Sequence, residues 1–149
     1  MKKRFVILIA AFFLTITATY ANKNDGNVPQ SVISEFSHNF YLARNVKWEK
    51  IDNYYEVIFS QSGRTWFAFY SEDSDLMGIA SYILSDSLPV SLGSDLKTSY
   101  SNYWISDLFK YSIKDGPGYF VTLENADQKI MLKSDDGQRW HLYKTIKNN

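Results

Sequence analysis

From Val28 onward, the spacing of apolar residues changes along the chain, and each change predicts a different element. Val32, Phe36 and Phe40 recur every four residues, with Ile33 and Ala43 flanking the same stripe. That spacing predicts an amphipathic helix of about three to four turns. Pro29 stands at its start, where a missing N–H costs little. After Asn45 the period shortens to two: Val46 and Trp48 alternate with Lys47 and Glu49, and Tyr55, Val57 and Phe59 alternate with Glu56 and Ile58. Ser62-Gly63 is a turn signal, Thr65 to Tyr70 is a further apolar run, Ser71 to Asp75 is a polar turn, and Leu76 to Leu84 is a last strand. One helix followed by four strands in a meander is the predicted unit.

The same pattern then returns. Val28-Pro29-Gln30-Ser31-Val32 has its counterpart in Leu88-Pro89-Val90-Ser91-Leu92, and Leu92, Leu96 and Tyr100 repeat the four-residue spacing. Gly93 weakens this second helix. Ile105 to Ile113 is a strand, Asp115 to Gly118 a turn, and Tyr119, Val121 and Leu123 repeat Tyr55, Val57 and Phe59. Ile130 and Leu132 are read as the counterparts of Phe67 and Phe69, and Ser134-Asp135-Asp136 as that of Ser71-Glu72-Asp73. Arg139 to Ile146 closes the unit. One helix on four strands makes a marginal core. Two such units side by side make an α+β fold, with an eight-stranded antiparallel sheet and both helices on one face. The expected division is a single domain over 28–149, built from repeats 28–87 and 88–149.

The phrases Val28-Pro29, Leu88-Pro89, Phe36 with Phe40, Asn45-Val46-Lys47-Trp48-Glu49 and Tyr55-Glu56-Val57 resemble those of the PepSY-like family, also described as β-lactamase-inhibitor-protein-like periplasmic proteins. The resemblance covers most of the chain after residue 27. It implies secretion, a duplicated helix-plus-four-strand unit and no enzymatic activity. The inhibitor for which the family is named presents an aromatic-rich sheet face to an enzyme.

The N-terminus fits that setting. Lys2, Lys3 and Arg4 precede the apolar run from Phe5 to Ile16, and Thr19-Tyr20-Ala21 offers small residues for cleavage. This is a secretory signal pattern over 1–21, too short for a comfortable membrane span. Residues 22–27 are polar and predict a disordered tail. Cleavage near Ala21 leaves 128 of the 149 residues, and takes Lys2, Lys3 and Arg4 from 16 basic side chains set against 16 acidic ones. The mature net charge of −3 attracts neither nucleic acid nor an anionic membrane. There is no cysteine, hence no disulfide, thiolate metal site or cysteine nucleophile. A periplasmic or secreted location follows.

Candidate chemistry is sparse. Glu35 and His38 share one side of the first helix but have no third ligand in sequence, so a solvated face is the simpler reading. The acidic turns, Glu72-Asp73-Ser74-Asp75 and Asp135-Asp136-Gly137, could hold calcium, which would make the protein a cell-envelope sensor of calcium or a small molecule. Asp is equally what tight turns use. No nucleophile elbow, phosphate loop or marked acid–base pair is present, so the expectation is a non-enzyme without cofactor, metal or catalytic residues.

Aromatic residues make up 17% of the chain, more than one core needs. Strand alternation assigns Tyr55, Val57, Phe59, Phe67, Phe69, Tyr119, Val121, Leu123, Ile130 and Leu132 to the face under the helices. The opposite face then carries Glu56, Ile58, Trp66, Ala68, Tyr70, Phe120, Thr122, Lys129, Met131 and Lys133, with His141 and Tyr143 from the last strand. Aromatic anchors rimmed by charge suit a protein partner. The expected contact residues are Trp66, Tyr70, Phe120, Met131, His141 and Tyr143, and the expected partner is a protein or peptide of the cell envelope. Cross-strand pairing that only stabilises the sheet is one alternative reading of these rings, and a homodimer burying the same face is another.

Overall fold

The structure, a computed structural model, describes residues 28–147. The predicted signal segment, its cleavage site near Ala21 and the polar tail over 22–27 lie outside them.

The elements follow the predicted order. Helix α1 (Gln30–Asn39) leads into β1 (Arg44–Ile51), β2 (Tyr54–Gln61), β3 (Arg64–Ser71) and β4 (Leu76–Tyr82). A 3₁₀ turn at Ser85–Ser87 precedes α2 (Val90–Ser99). Strands β5 (Trp104–Ile113), β6 (Gly116–Glu124), β7 (Gln128–Ser134) and β8 (His141–Lys147) complete the second unit. All eight strands form one antiparallel sheet in sequential order, and β4 pairs with β5 to join the two units.

Each helix starts directly after its proline, with Pro29 and Pro89 at the cap positions. Each buries two residues one turn apart: Val32 and Phe36 on α1, Leu92 and Leu96 on α2. At about 1.5–3 kcal/mol for each fully buried side chain, these four residues are the main attachment of the helices. Under α1 lie Tyr55, Val57, Phe59, Ala68 and Tyr70; under α2 lie Leu108, Val121, Leu123, Ile130 and Leu132. Trp66, Ser81, Lys110 and Tyr119 pair in a row across β3 to β6, linking the two clusters on one face. Both helices therefore cover the same side of the sheet.

Strand β3 corrects the alternation expected from sequence. Ser62 and Gly63 both have positive φ, 53° and 74°, forming a two-residue hairpin turn that sets Gln61 opposite Arg64. Phe59 then faces Trp66, Val57 faces Ala68 and Tyr55 faces Tyr70. Trp66, Ala68 and Tyr70 are therefore under α1, and Phe67 and Phe69 are on the opposite face. The pairing of β3 differs by one residue from the expected correspondence of the two repeats. The true counterparts of Ile130 and Leu132 are Trp66 and Ala68. A one-residue slip sends every side chain of a strand to the other face.

The expected turn at Asp115 to Gly118 is also shorter. Lys114-Asp115 makes the turn, and Gly116, Pro117 and Gly118 already pair with β5. Pro117 is tolerated because pairing with β7 begins only at Tyr119, so its missing N–H breaks no ladder on that side.

Candidate partner-binding face

The face away from the helices carries the third cluster: Tyr54, Phe67, Phe69, Ala80, Phe109, Tyr111 and Phe120, with Ile58, Met77, Ile113 and Tyr143 packed against it. Register orders it into rows. Glu49, Glu56, Phe69, Gly78 and Ile113 are successive partners from β1 to β5. Lys47, Ile58, Phe67, Ala80, Tyr111 and Gly118 form the next row. Tyr82, Phe109, Phe120, Lys133 and His141 form a third.

The rings touch along and across these rows. Tyr82 lies 3.9 Å from Phe109, centroid to centroid, and Phe67 lies 5.8 Å from Tyr82 and 5.9 Å from Phe109. Tyr111 is 5.3 Å from Phe120, which meets Tyr143 edge-on at 5.6 Å. Gly118 makes room for this layer: a Cβ there would lie 2.2 Å from the Tyr111 ring. Crossing Gly118, Tyr111 donates its hydroxyl proton to Asp135, whose same oxygen accepts Lys133 Nζ at 2.6 Å. Burial and the bond to Asp135 push the Tyr111 hydroxyl far above the usual tyrosine range.

The sequence-predicted contact residues separate in the structure. Trp66 is half-buried and Tyr70 fully buried beneath α1, where Asn39 donates an amide hydrogen to the Tyr70 hydroxyl at 3.4 Å. Neither reaches the helix-free face, for the reason of register given above. Phe120 and Met131 are on that face, each only 2% exposed. His141 is exposed opposite Lys133, and Tyr143 is half-buried against Phe120. Tyr143, two residues after His141, lies on the same side of β8. Tyr82, 42% exposed, belongs to the face and was missed, although its alternation with Ala80 at the end of β4 was the available signal.

Glu56 is the unusual charge. It is 1% exposed, its Oε2 has no hydrogen-bond partner, and its cross-strand partner is Glu49. Burial first, and the Glu49 charge second, push its carboxyl up to about 8.

The acidic turns serve the backbone and nearby side chains. Asp136 Oδ1 accepts the N–H groups of Gln138 and Arg139 at 2.8 and 3.3 Å, which hold its carboxyl below the usual range. Glu72 pairs with Lys50 at 3.0 Å. Glu35 accepts from Asn39 at 3.1 Å, and His38 is exposed. Among the described residues, no three His, Asp or Glu side chains converge on a point that could hold a metal ion. A cleft of about 490 Å³ opens between the end of α1 and the β4–β5 pair, lined by Phe40, Leu76, Met77, Ile79 and Ile113 among others. No helix among the described residues is long and apolar enough to cross a membrane.

Three solved structures share this architecture. A BLIP-like protein (β-lactamase-inhibitor-protein-like) from Bacteroides fragilis superimposes with a TM-score of 0.69 at 19% identity, covering 81% of this chain and 88% of its own. A DUF2874-family protein from Bacteroides ovatus gives 0.68 at 19% identity, covering 80% and 86%. A protein from Bacteroides eggerthii, named for the periplasm, gives 0.70 at 13% identity, covering 82% and 90%. At these identities the likeness establishes the fold. The inhibitor-like half of the resemblance read from sequence has its counterpart here, whereas none of these three carries the PepSY name. No family model matches the chain, and no curated protein matches its sequence.

Proposed function

We propose that this protein is a non-enzymatic, periplasmic or secreted binding protein that holds a protein or peptide partner on the helix-free face of its sheet. The observation that carries this reading is the continuous aromatic layer from β2 to β8, edged by Tyr82, Lys133, His141 and Tyr143. A sheet needs one buried face for its core, and here the core under the helices is complete without these rings. Large aromatics beside charge are the composition of interface anchors. The signal-like N-terminus and the inhibitor-like and periplasmic names among the fold neighbours support the setting. Tyr82, His141 and Tyr143 take the anchoring role first assigned to Trp66 and Tyr70, with Phe120 and Met131 as the floor beneath.

The test is capture from cell-envelope extract by immobilised protein starting at Asn22. A Tyr82→Ala, Tyr143→Ala variant runs beside it, with Tyr41→Ala as a control at an 81% exposed tyrosine following α1. The expected result is a protein retained by the wild type and the control and lost by the double variant. Equal retention by all three overturns the reading.

A further inference from the structure

Among the described residues, one polar group on the helix-free face is left unsatisfied by the sheet itself. Glu56 is the third residue of β2, 1% exposed, with Oε2 unpartnered. A buried ionised carboxylate without a partner costs several kcal/mol. Its neighbour across the β1–β2 ladder is a second carboxylate, Glu49, and like charges directly opposite destabilise a sheet. Stability alone would favour a neutral or apolar residue at either position. Phe69 faces Glu56 from β3, and Tyr54 stands two residues away on the same strand, its ring 6.2 Å from Phe69. The charged and titratable groups on this side are Glu49 and Lys47 from β1, Tyr54 from β2 and Asp52 in the turn between them; β3 presents only Phe69 and Ser71. Burial first, and then the negative charges of Glu56, Asp52 and Glu49, push the Tyr54 hydroxyl up.

We infer that Glu56 and Glu49, floored by Tyr54 and Phe69, form a seat for one cationic side chain, lysine or arginine, of the bound partner. This rests on the binding reading above and specifies the chemistry of its partner. β1 is the edge of the sheet and Glu49 is exposed, so the cation enters from that edge. It meets Glu49 first and reaches Glu56 over two aromatic rings, whose faces attract cations. Its arrival supplies the missing partner to Glu56 and offsets the burial and the Glu49 charge that keep Glu56 protonated. Binding would therefore ionise Glu56 and release a proton.

The experiment has two arms. In the first, the side-chain carboxyl of Glu56 is titrated by carbon NMR in the mature protein, with and without N-acetyl-arginine amide; the uncharged N-acetyl-citrulline amide is the control. The expected result is a fall of Glu56 titration by about one pH unit or more with the arginine probe only, corresponding to tenfold weaker proton binding. Glu49→Gln should weaken the probe's effect. Glu56→Gln keeps the neutral shape; with its folding checked by circular dichroism, its resonances near Phe69 should no longer respond. An unchanged titration, or equal responses to both probes, overturns the seat. In the second arm, Glu56→Gln is used to capture the partner. Loss of about tenfold or more in affinity supports the inference, and undiminished capture overturns it while leaving the aromatic-face reading intact. If nothing is captured by any form, the binding reading fails, and the seat with it as a partner site.

Discussion

The indole N–H of Trp140 donates to the main-chain oxygen of Leu92 at 3.1 Å, across 48 residues of sequence. Trp140 stands just before β8 and is 8% exposed, among Leu88, Leu92, Leu96 and Leu132. It therefore fastens the last connection of the chain to the first turn of α2. Ser91 adds a second tie, donating its hydroxyl to the Gly137 carbonyl at 3.0 Å. Replacing Trp140 by Phe keeps most of the apolar contact and removes the donor. The expected loss is about 0.5–1.5 kcal/mol for the hydrogen bond, plus a contribution from the smaller ring, read by urea unfolding. Hydrogen exchange should rise first in α2 and β8.

Gly118 and Tyr111 form a matched pair. A Cβ at Gly118 would lie 2.2 Å from the Tyr111 ring, too close for any side chain. Gly118→Ala should displace the ring, break its bond to Asp135 and cost about 1–3 kcal/mol of stability. With Tyr111→Ala already present, the same alanine should cost much less. A double-mutant cycle checks this, the expected result being strong non-additivity.

Glu56 makes stability depend on pH. In the unfolded chain it titrates near 4.5, and in the folded protein burial holds it up at about 8. Its contribution is complete below the lower value. Between the two, the unfolded state has lost the proton that the folded state keeps, so stability falls by about 1.4 kcal/mol per pH unit over the window. Above about 8 the loss is complete. Glu56→Gln should abolish this slope and exceed the wild type in stability at mildly alkaline pH. Denaturant midpoints measured on both sides of the window check the prediction.

The phase of β3 can be tested at Ala68, which is fully buried beneath α1. Ala68→Leu should overpack the space between Val57 and the helix and cost about 1–3 kcal/mol. On an uncovered face the same change would be close to neutral. Thermal unfolding of the variant distinguishes the two outcomes.

Much of the fold is legible in the chain because two periods alternate in it, and because each helix starts at a proline. The four-residue spacing of Val32 and Phe36, and of Leu92 and Leu96, gave both helices and their buried sides. The period of two in Tyr55, Val57 and Phe59, and in Tyr119, Val121 and Leu123, gave β2, β6 and the face beneath the helices. The error at β3 has a specific source. Residues 65–70 are apolar or aromatic at five of six positions, so alternation has no contrast there. The information lay in the turn instead: a two-residue Ser-Gly hairpin sets Trp66 opposite Phe59, whatever the composition of the strand.

The candidate site was legible in part for the same reason. Phe120 and Met131 are placed on the outer face because β6 and β7 alternate clearly, whereas in the last strand both phases carry aromatics and His141 with Tyr143 is the favoured one of the two. Trp66 and Tyr70 were misplaced along with their strand. Tyr82 was legible only through its alternation with Ala80, and the unpartnered state of Glu56 could not be seen at all. Burial of a carboxylate is a property of what surrounds it on three strands, and no local pattern encodes that. By itself, the sequence determined a duplicated helix and meander, because helix and strand periodicity are local properties of neighbouring residues. Only the tertiary structure decided which aromatic rings form the helix-free layer and which carboxylate lies buried in it. Those outcomes depend on cross-strand register and on β4 pairing with β5, contacts between residues far apart in the chain.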